Sequence, residues 1–275
     1  MILVIGGSGM IGREIVSAAA HMGLPCEFTL RKPEARHFLD LSLPPKSWSI
    51  PKNVESAIIC ASVSGLNACE SDPEGTRAIN VSATLILADR LAEQGSLITF
   101  LSSSQVFGPE VSVPSESDSP GPVTEYGRQK LVIERHLMEK IPGSQIIRLT
   151  KVVSAKLPLF STWMDFLARG LPVTAFSDLH LSPLSVPAAA SGVLAVTRSG
   201  CGGVFHLSAS DSTSYLEAAN LLASRNHFDP SLVISSPSPR PNTPDSCRLC
   251  CERSRKLTGF QPRSALENLT EAFVQ

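Results

Sequence analysis

The sequence of 275 residues lacks an excess of charge of either sign, and it lacks an apolar run long enough to cross a membrane. Its formal net charge of −1 is not that of a protein with the basic stripe that electrostatic binding to nucleic acid requires. A membrane helix needs about 20 consecutive apolar residues, and the apolar runs here are far shorter. We therefore expect no nucleic-acid partner and no membrane association.

The pattern of a secretory signal is also missing, because the chain enters a short apolar run at Ile2 and turns at Gly6. The seven cysteines are an odd number, which predicts reduced thiols in a cytoplasmic protein. Cys247, Cys250 and Cys251 form a cluster that is interpreted either as part of a zinc site or as packed thiols. Since no His or Cys follows Cys251, the cluster favours packed thiols and we predict no metal.

Aromatic residues are scarce, at 5% of the chain, so few rings are available to stack on a base or a sugar. Hydrophobic residues nevertheless reach 43%, which is enough for a large buried core. The length suits one large α/β domain, or such a domain with a small lobe attached.

Patterns typical of strands and helices alternate along the first 150 residues. Strands are predicted over residues 1–5, 27–30, 57–61, 97–101 and 144–149, and helices over residues 11–21, 76–93 and 126–140. Apolar strands that alternate with helices favour a parallel sheet covered on both faces. We therefore predict a doubly wound α/β fold of the Rossmann type, with a nucleotide-binding domain over residues 1–150.

The later chain is less regular. Helices are predicted over residues 161–169, 187–198 and 212–224, a strand over 203–207, and two helices within 254–274 separated by a turn at 259–262. Residues 171–187 are predicted to be irregular, and the proline-rich residues 235–244 to be a loop. We expect residues 151–275 to form mainly a small C-terminal substrate lobe, with residues 187–209 returning to the sheet.

A glycine-rich segment, GGSGMIG from Gly6 to Gly12, joins the first predicted strand to the first helix. Such glycines permit a tight turn, a close approach of the backbone to a pyrophosphate, and close packing of helix on strand. The alternative is a purely structural turn, but the strand-to-helix context favours phosphate binding at a helix N-terminus. The predicted cofactor contacts here are Gly6, Ser8, Gly9, Met10 and Ile11.

Arg31 and Lys32 follow the second predicted strand, where a protein that prefers NAD usually has Asp or Glu to bind the ribose 2′-hydroxyl. Two cations suit a 2′-phosphate instead, so we predict NADP(H) as the cofactor, with NAD(H) as the less favoured choice. Two solvated surface charges are the alternative interpretation.

Tyr126 and Lys130 stand four residues apart on a predicted helix, so their side chains project from one face. A tyrosine hydroxyl can protonate a carbonyl oxygen, and a nearby ammonium is expected to lower the tyrosine pKa toward neutrality. Upstream, a strand ends in three serines, 102–104, at the sheet edge where ligands bind in such folds. One serine hydroxyl can bind the same substrate oxygen, although loop chemistry alone also explains serines there.

In order and spacing, GGSGMIG, AIICAS, Asn80, SSSQVFG and YGRQK resemble the extended short-chain dehydrogenase/reductase superfamily. The resemblance implies that Ser103 is the catalytic hydroxyl and that Tyr126 is the acid and also contacts the cofactor. It also implies that Lys130 is the partner of the tyrosine and a ribose ligand, and that Asn80 supports the proton relay of the lysine.

Longer segments resemble the dTDP-4-dehydrorhamnose reductase family over nearly the whole chain. They are CASVSGLNACESDPEGTRAIN from Cys60, GLPVTAFSDLHLSPLSVPAAA from Gly170, GGVFHLSAS from Gly202, RPNTPDSCRL from Arg240 and GFQPRSALENL from Gly259. This resemblance implies reduction of a nucleotide-linked 4-keto sugar by NADPH. It implies adenine contacts at Asp40 and Leu41, and contacts to the central part of the cofactor at Cys60, Ala61 and Ser62.

The sequence departs from that family at two places near the expected sugar pocket. Ser104 and Gln105 stand where the family usually has Asp-Tyr, and Val63 and Ser64 stand where a Tyr-Thr pair is common. We therefore expect an altered sugar pocket in an otherwise unchanged fold.

Two other functions fit the same motifs. One is a sugar-nucleotide epimerase or dehydratase that retains NAD, which Arg31 and the whole-chain resemblance disfavour. The other is a non-catalytic NADP-binding regulatory subunit, which the presence of Ser103, Tyr126 and Lys130 together disfavours. The expected partner is a small-molecule substrate, a nucleotide sugar, and a homodimer is a possible assembly.

Overall fold

The computed structural model describes residues 1–240, 242 and 247–274. The strands are β1 (Ile2–Ile5), β2 (Cys26–Phe28), β3 (Ser56–Ile59), β4 (Leu97–Ser103), β5 (Gln145–Leu149), β6 (Val152–Val153), β7 (Val173–Phe176), β8 (His180–Leu181), β9 (Leu184–Ser185), β10 (Gly203–Leu207), β11 (Thr213–Ser214) and β12 (Val233–Ser236). The helices are α1 (Met10–His21), α2 (Leu66–Ser71), α3 (Pro73–Arg77), α4 (Thr84–Glu93), α5 (Glu125–Lys140), α6 (Pro158–Ala168), α7 (Val186–Ser199), α8 (Tyr215–Arg225), α9 (Glu252–Thr258) and α10 (Ala265–Phe273).

Six strands form one parallel sheet in the order β10-β5-β4-β3-β1-β2. After β2 is added on one side of β1, the chain crosses to β3 on the other side, so the winding reverses between β1 and β3. A crevice at such a switch point, at the carboxyl edge of the strands, is where ligands bind in open α/β sheets. The prediction of a doubly wound α/β fold is confirmed.

Alternate residues of the central strands enter two different cores. Leu3 and Ile5 belong to a core that contains Leu87 of α4, whereas Val4 belongs to a core on the opposite face with Ile15 of α1. All five side chains are completely buried. Because both faces of the sheet are covered by helices, β1 is apolar at every position rather than at alternate ones.

A third core lies among the later elements, and it contains Phe160 and Trp163 of α6, Leu222 of α8 and Leu269 of α10. The rings of Phe160 and Phe273 meet edge to face with centroids 5.1 Å apart. In the part of the chain that the structure describes, no helix combines the length and the apolar character needed to cross a membrane.

The prediction that residues 171–187 are irregular is wrong. This segment contains β7, β8 and β9, which pair respectively with β12, β11 and β6. Strands of two to four residues show no readable period, and their partners are distant in sequence. The predicted loop over 235–244 likewise begins within β12, and its residues 241, 243 and 244 lie outside the described part of the chain.

The predicted helix over residues 76–93 is interrupted by a π-helical turn, Ala78–Ala83, between α3 and α4. A π turn adds one residue to a helical turn, and an irregularity of one residue is too small to distinguish from the normal scatter of a helical pattern. Helix α8 begins at Tyr215, later than predicted, because Ser214 caps it and Glu217 completes a capping box.

His206 on β10 is fully buried beside Arg148 of β5. Its Nε2 lies 3.4 Å from a guanidinium nitrogen of Arg148, and its Nδ1 lies 3.1 Å from the carbonyl oxygen of Cys250. A guanidinium can only donate, so Nε2 accepts and Nδ1 carries the proton. Burial, together with the Arg148 charge, lowers the pKa of His206 to about 3.

This buried neutral histidine predicts loss of stability in acid. Between pH 6.5 and 3 the unfolded chain binds a proton that the folded protein does not, so the free energy of unfolding decreases as the pH falls through this range. At 1.36 kcal/mol per pKa unit, the contribution is about 2–3 kcal/mol between pH 6.5 and 4.5. Urea unfolding should show a flatter pH dependence for His206→Gln, and parallel curves for the two proteins would contradict the assignment.

Candidate active site and cofactor cavity

A cavity of about 230 Å³ lies at the switch point, at the carboxyl edge of β1, β2 and β3. Most of the predicted cofactor contacts line it, namely Gly6, Ser8, Gly9, Arg31, Asp40, Leu41, Cys60, Ala61 and Ser62. Met10 and Ile11 instead open α1 next to the cavity, and Lys32 is exposed outside its lining. The lining also contains residues that the sequence analysis missed: Thr29, Leu39, Ser42, Val63 and Ile79.

The glycine-rich loop is held close to the neighbouring backbone. Gly6 has a φ of +89°, and a Cβ there would lie 3.1 Å from Ala61. A Cβ on Gly12 would lie 2.3 Å from the carbonyl oxygen of Gly6, which is too close for any side chain. The loop thus brings bare backbone to the edge of the cavity.

This loop fits the pyrophosphate of a dinucleotide. Helix α1 begins directly after Gly9, which has no side chain to cap it, so the first backbone N–H groups remain available to an anion. Thr29 positions the loop from the other side, since its hydroxyl accepts a hydrogen bond of 3.1 Å from the Gly6 amide. Sequence reasoning missed Thr29 because the second strand was predicted over residues 27–30, whereas β2 ends at Phe28 and leaves Thr29 as the first residue after it.

Arg31 is the cation in the lining of the cavity, so of the two predicted phosphate ligands it is the one placed to meet a bound cofactor. Asp40 lies in the same lining, and its carboxylate accepts hydrogen bonds from the Ser42 hydroxyl at 2.7 Å and amide at 2.9 Å. These bonds hold the pKa of Asp40 below its usual value. The Asp40 carboxylate is thus stabilised by hydrogen bonds from its own turn.

Tyr126 and Lys130 lie on one face of α5, as predicted. Thr124 caps the helix by accepting a 3.1 Å hydrogen bond from the Gly127 amide. The Lys130 ammonium is buried and donates a 2.9 Å hydrogen bond to the carbonyl of Leu101, and it lies 5.5 Å from the centre of the Tyr126 ring. Burial lowers the pKa of Lys130 to about 8.

The expected lowering of the tyrosine pKa is wrong. Burial raises the pKa of Tyr126 to about 12, and a hydrogen bond with the Ser62 side chain opposes this only in part. The reason is that the Lys130 ammonium is directed at the Leu101 carbonyl rather than at the tyrosine oxygen. At neutral pH Tyr126 therefore keeps its proton, as a proton donor must.

Ser103 is the last residue of β4 and is half-buried. Its hydroxyl accepts a 3.2 Å hydrogen bond from the Gln105 amide, at the start of a short 3₁₀ turn. The strand therefore presents Ser103 at the carboxyl edge of the sheet, two residues after the carbonyl that Lys130 contacts.

Asn80 is buried on the π-helical turn, but its side chain contacts Gln129 rather than Lys130. Its amide nitrogen donates to Gln129 Oε1 at 2.8 Å and to the Val63 carbonyl at 2.9 Å, and its oxygen accepts from the Val63 amide at 2.7 Å. The implied support of the lysine is thus indirect, because Asn80 joins the loop after β3 to the residue that precedes Lys130.

A Rossmann sheet, a glycine-rich cavity at its switch point and a Tyr-Lys pair on the following helix define a member of the extended short-chain dehydrogenase/reductase class. The family model of the RmlD substrate-binding domain matches residues 1–275. The chain belongs to this family.

Known relatives agree with this membership. A probable low-salt glycan biosynthesis reductase from Haloferax volcanii is 29% identical over 67% of this chain, and the match spans 64% of the relative. The dTDP-4-dehydrorhamnose reductase of Streptomyces griseus is 28% identical over 98% of this chain and 92% of its own. The predicted class of enzyme, an NAD(P)-dependent oxidoreductase, is confirmed by relatives that are named reductases.

Solved structures share the fold. The dTDP-4-dehydrorhamnose reductase of Bacillus anthracis, solved in complex with NADP, superposes with a TM-score of 0.84. The superposition covers 99% of this chain and 98% of that chain at 17% identity. At this identity the likeness establishes the shared fold alone.

The close approach of Gly12 to the Gly6 carbonyl predicts that no residue larger than glycine fits at position 12. Gly12→Ala places a methyl group against a backbone oxygen, so the loop must shift, and we expect the free energy of unfolding to fall by about 1–3 kcal/mol. Affinity for dinucleotides, measured by fluorescence titration, should fall as well. Gly121→Ala is the matched control because a Cβ there meets nothing within 4 Å. Equal stability and affinity for both variants would contradict the steric argument.

Proposed function

We propose that the protein reduces a nucleotide-linked 4-keto sugar, or a related carbonyl compound, with NADPH. The observation that carries this proposal is the link between the proton donor and the cofactor cavity. The side chain of Ser62 lines the cavity, and its interaction with the Tyr126 hydroxyl favours a lower tyrosine pKa. A proton-donating hydroxyl therefore lies beside the space that the cofactor would fill.

The residues have complementary roles in this reaction. The glycine-rich loop and Arg31 would hold NADPH in the cavity, and the bound cofactor would provide hydride chemistry at the carbonyl carbon of the substrate. Tyr126 gives its hydroxyl proton to the carbonyl oxygen, which becomes the alcohol, and a proton from solvent restores the tyrosine. The Lys130 ammonium stabilises the transient phenolate, and the Ser103 hydroxyl donates a hydrogen bond to the same substrate oxygen.

Two observations support NADP(H) over NAD(H). Arg31 brings a guanidinium to the lining of the cavity, and a guanidinium matches a phosphate with two parallel hydrogen bonds. The B. anthracis reductase that shares the fold holds NADP. The names of the relatives from H. volcanii and S. griseus support a sugar-linked substrate.

We further propose that residues 151–275, apart from about 187–209, form the substrate side of the site. Their third core is distinct from the two cores that cover the sheet. A lobe with its own core can vary the substrate pocket while the cofactor cavity is unchanged.

Tyr126→Phe tests the proposed acid. Because the variant has no proton to give, kcat for NADPH oxidation with dTDP-4-dehydrorhamnose should fall by about 100-fold or more, while NADPH affinity stays the same. The control is Tyr215→Phe, since Tyr215 is the other tyrosine of the chain and its hydroxyl accepts from Lys151 at 3.1 Å. Equal turnover by Tyr126→Phe and the unchanged protein would contradict the role.

The same assay separates the alternatives. If NADPH is not oxidised with any nucleotide-linked keto sugar, the reductase proposal is wrong and the regulatory-subunit interpretation takes its place. NAD that remains bound through purification would instead favour an epimerase or dehydratase.

Arg31→Ala tests the cofactor preference. Loss of a charge-assisted contact to the 2′-phosphate should weaken NADPH binding by about 10- to 100-fold and leave NADH binding nearly unchanged. Lys32→Ala is the matched control, because it removes a neighbouring cation that lies outside the cavity lining. If NADPH and NADH affinities fall equally in Arg31→Ala, the residue does not recognise the phosphate.

A further inference from the structure

Three residues on α5 are spaced by four and therefore share one helical face: Tyr126, Lys130 and Glu134. This face contacts the carboxyl end of β4 at two successive residues. Lys130 donates to the Leu101 carbonyl at 2.9 Å, and the Ser102 hydroxyl donates to Glu134 Oε1 at 2.5 Å. The next residue of the strand is Ser103.

Glu134 is held in place from the opposite side by Arg148 of β5. The guanidinium donates from Nε to both carboxylate oxygens, at 3.1 and 3.2 Å, and from Nη2 to Oε2 at 2.7 Å. Glu134 and Arg148 are 1% and 3% exposed, so this is a buried ion pair. The Arg148 guanidinium also lies 4.9 Å from the centre of the Phe107 ring.

Such a pair is a poor way to gain stability. The cost of removing two charges from water offsets most of their attraction, and apolar side chains of similar volume often stabilise a core as well or better. What the ion pair does provide is a fixed geometry. Hydrogen bonds from the Arg148 guanidinium restrict the Glu134 carboxylate to one orientation. That orientation holds the Ser102 hydroxyl.

The end of β4 has few other contacts that fix its geometry, so the hydrogen bond between Ser102 and Glu134 is important there. The backbone leaves the strand at Ser103 and enters a 3₁₀ turn at Ser104, so pairing with β5 ends at Ser103, opposite Leu149. The last residue of a paired strand has fewer neighbours to restrict it than the residues before it. The Ser103 hydroxyl must nevertheless point to the same substrate oxygen as the Tyr126 hydroxyl.

We propose that Glu134 is a positioning residue, which acts through the Ser102 hydroxyl to fix the Ser103 hydroxyl relative to Tyr126 and Lys130. The inference rests on the roles proposed above for Ser103 and Tyr126. Glu134 touches neither substrate nor cofactor, and its effect is on the orientation of the catalytic hydroxyl.

Ser102→Ala tests this directly, because it removes the link to Ser103 and leaves the Glu134–Arg148 pair intact. We expect kcat with dTDP-4-dehydrorhamnose to fall by about tenfold, with the KM for NADPH unchanged, since misplacing a catalytic group lowers turnover rather than cofactor binding. Ser102→Thr retains a hydroxyl and should recover most of the lost turnover.

Ser96→Ala is the matched control. Ser96 is as buried as Ser102, and its hydroxyl donates one hydrogen bond, to the Val54 carbonyl at 2.7 Å, next to the other end of the same strand. Both variants lose a buried serine hydrogen bond, so they should lose similar stability, but Ser96→Ala should keep full kcat. If both keep full kcat, Glu134 is merely structural and the inference is wrong.

Crystal structures of the two variants give a measurement that does not depend on the substrate. The contact between the Ser103 hydroxyl and the Gln105 amide should be lost or displaced in Ser102→Ala and retained in Ser96→Ala; an unchanged Ser103 in both overturns the inference. If Ser102→Ala does not fold, Glu134→Asp replaces it, because the shorter carboxylate keeps the ion pair but withdraws from Ser102. Full kcat in Ser103→Ala would show that the proposed role of Ser103 fails, which is a separate outcome.

Discussion

The Lys130 ammonium donates a hydrogen bond to the Leu101 carbonyl, and this contact joins α5 to the end of β4 inside the core. Burying the ammonium is costly, as the lowered pKa of Lys130 indicates. The cost is partly offset by the carbonyl, by the Phe100 ring at 4.5 Å from the ammonium, and by the charge of Glu134. Because the lysine is held in this way, the tyrosine one turn earlier on α5 has a defined place at the sheet edge.

A second set of contacts joins that helix to the cofactor cavity. The Asn80 side chain accepts a hydrogen bond from the amide of Val63, which lines the cavity, and donates one to the carbonyl of the same residue. It also donates a hydrogen bond to the Gln129 side chain on α5. The π-helical turn gives Asn80 its place between these two elements. One buried amide therefore joins the cavity to the helix that carries Tyr126, and this is a physical reason for the irregular turn at Asn80.

Val63 and Gln105 are two positions at which the sequence departs from the family pattern, and at both of them the backbone, rather than the side chain, makes the contacts within the site. At Val63 the amide and carbonyl hold Asn80, and at Gln105 the amide holds Ser103. The Gln105 carbonyl approaches Gly127 so closely that a Cβ there would lie 2.0 Å from it. Side chains at 63 and 105 can thus change without loss of these contacts, so the positions of Asn80 and Ser103 do not depend on which side chains stand there.

The sequence by itself determined the parallel sheet, the glycine-rich loop and the Tyr-Lys helix, because continuous apolar strands, a strand-to-helix glycine pattern and a four-residue spacing are local signals. Only the tertiary structure decided the pairing of β7, β8 and β9 with distant strands, the indirect place of Asn80, and the high pKa of Tyr126. It also decided that Arg31, and not Lys32, lines the cavity. These features depend on burial and on contacts between residues far apart in the chain, and a local pattern contains no information about either.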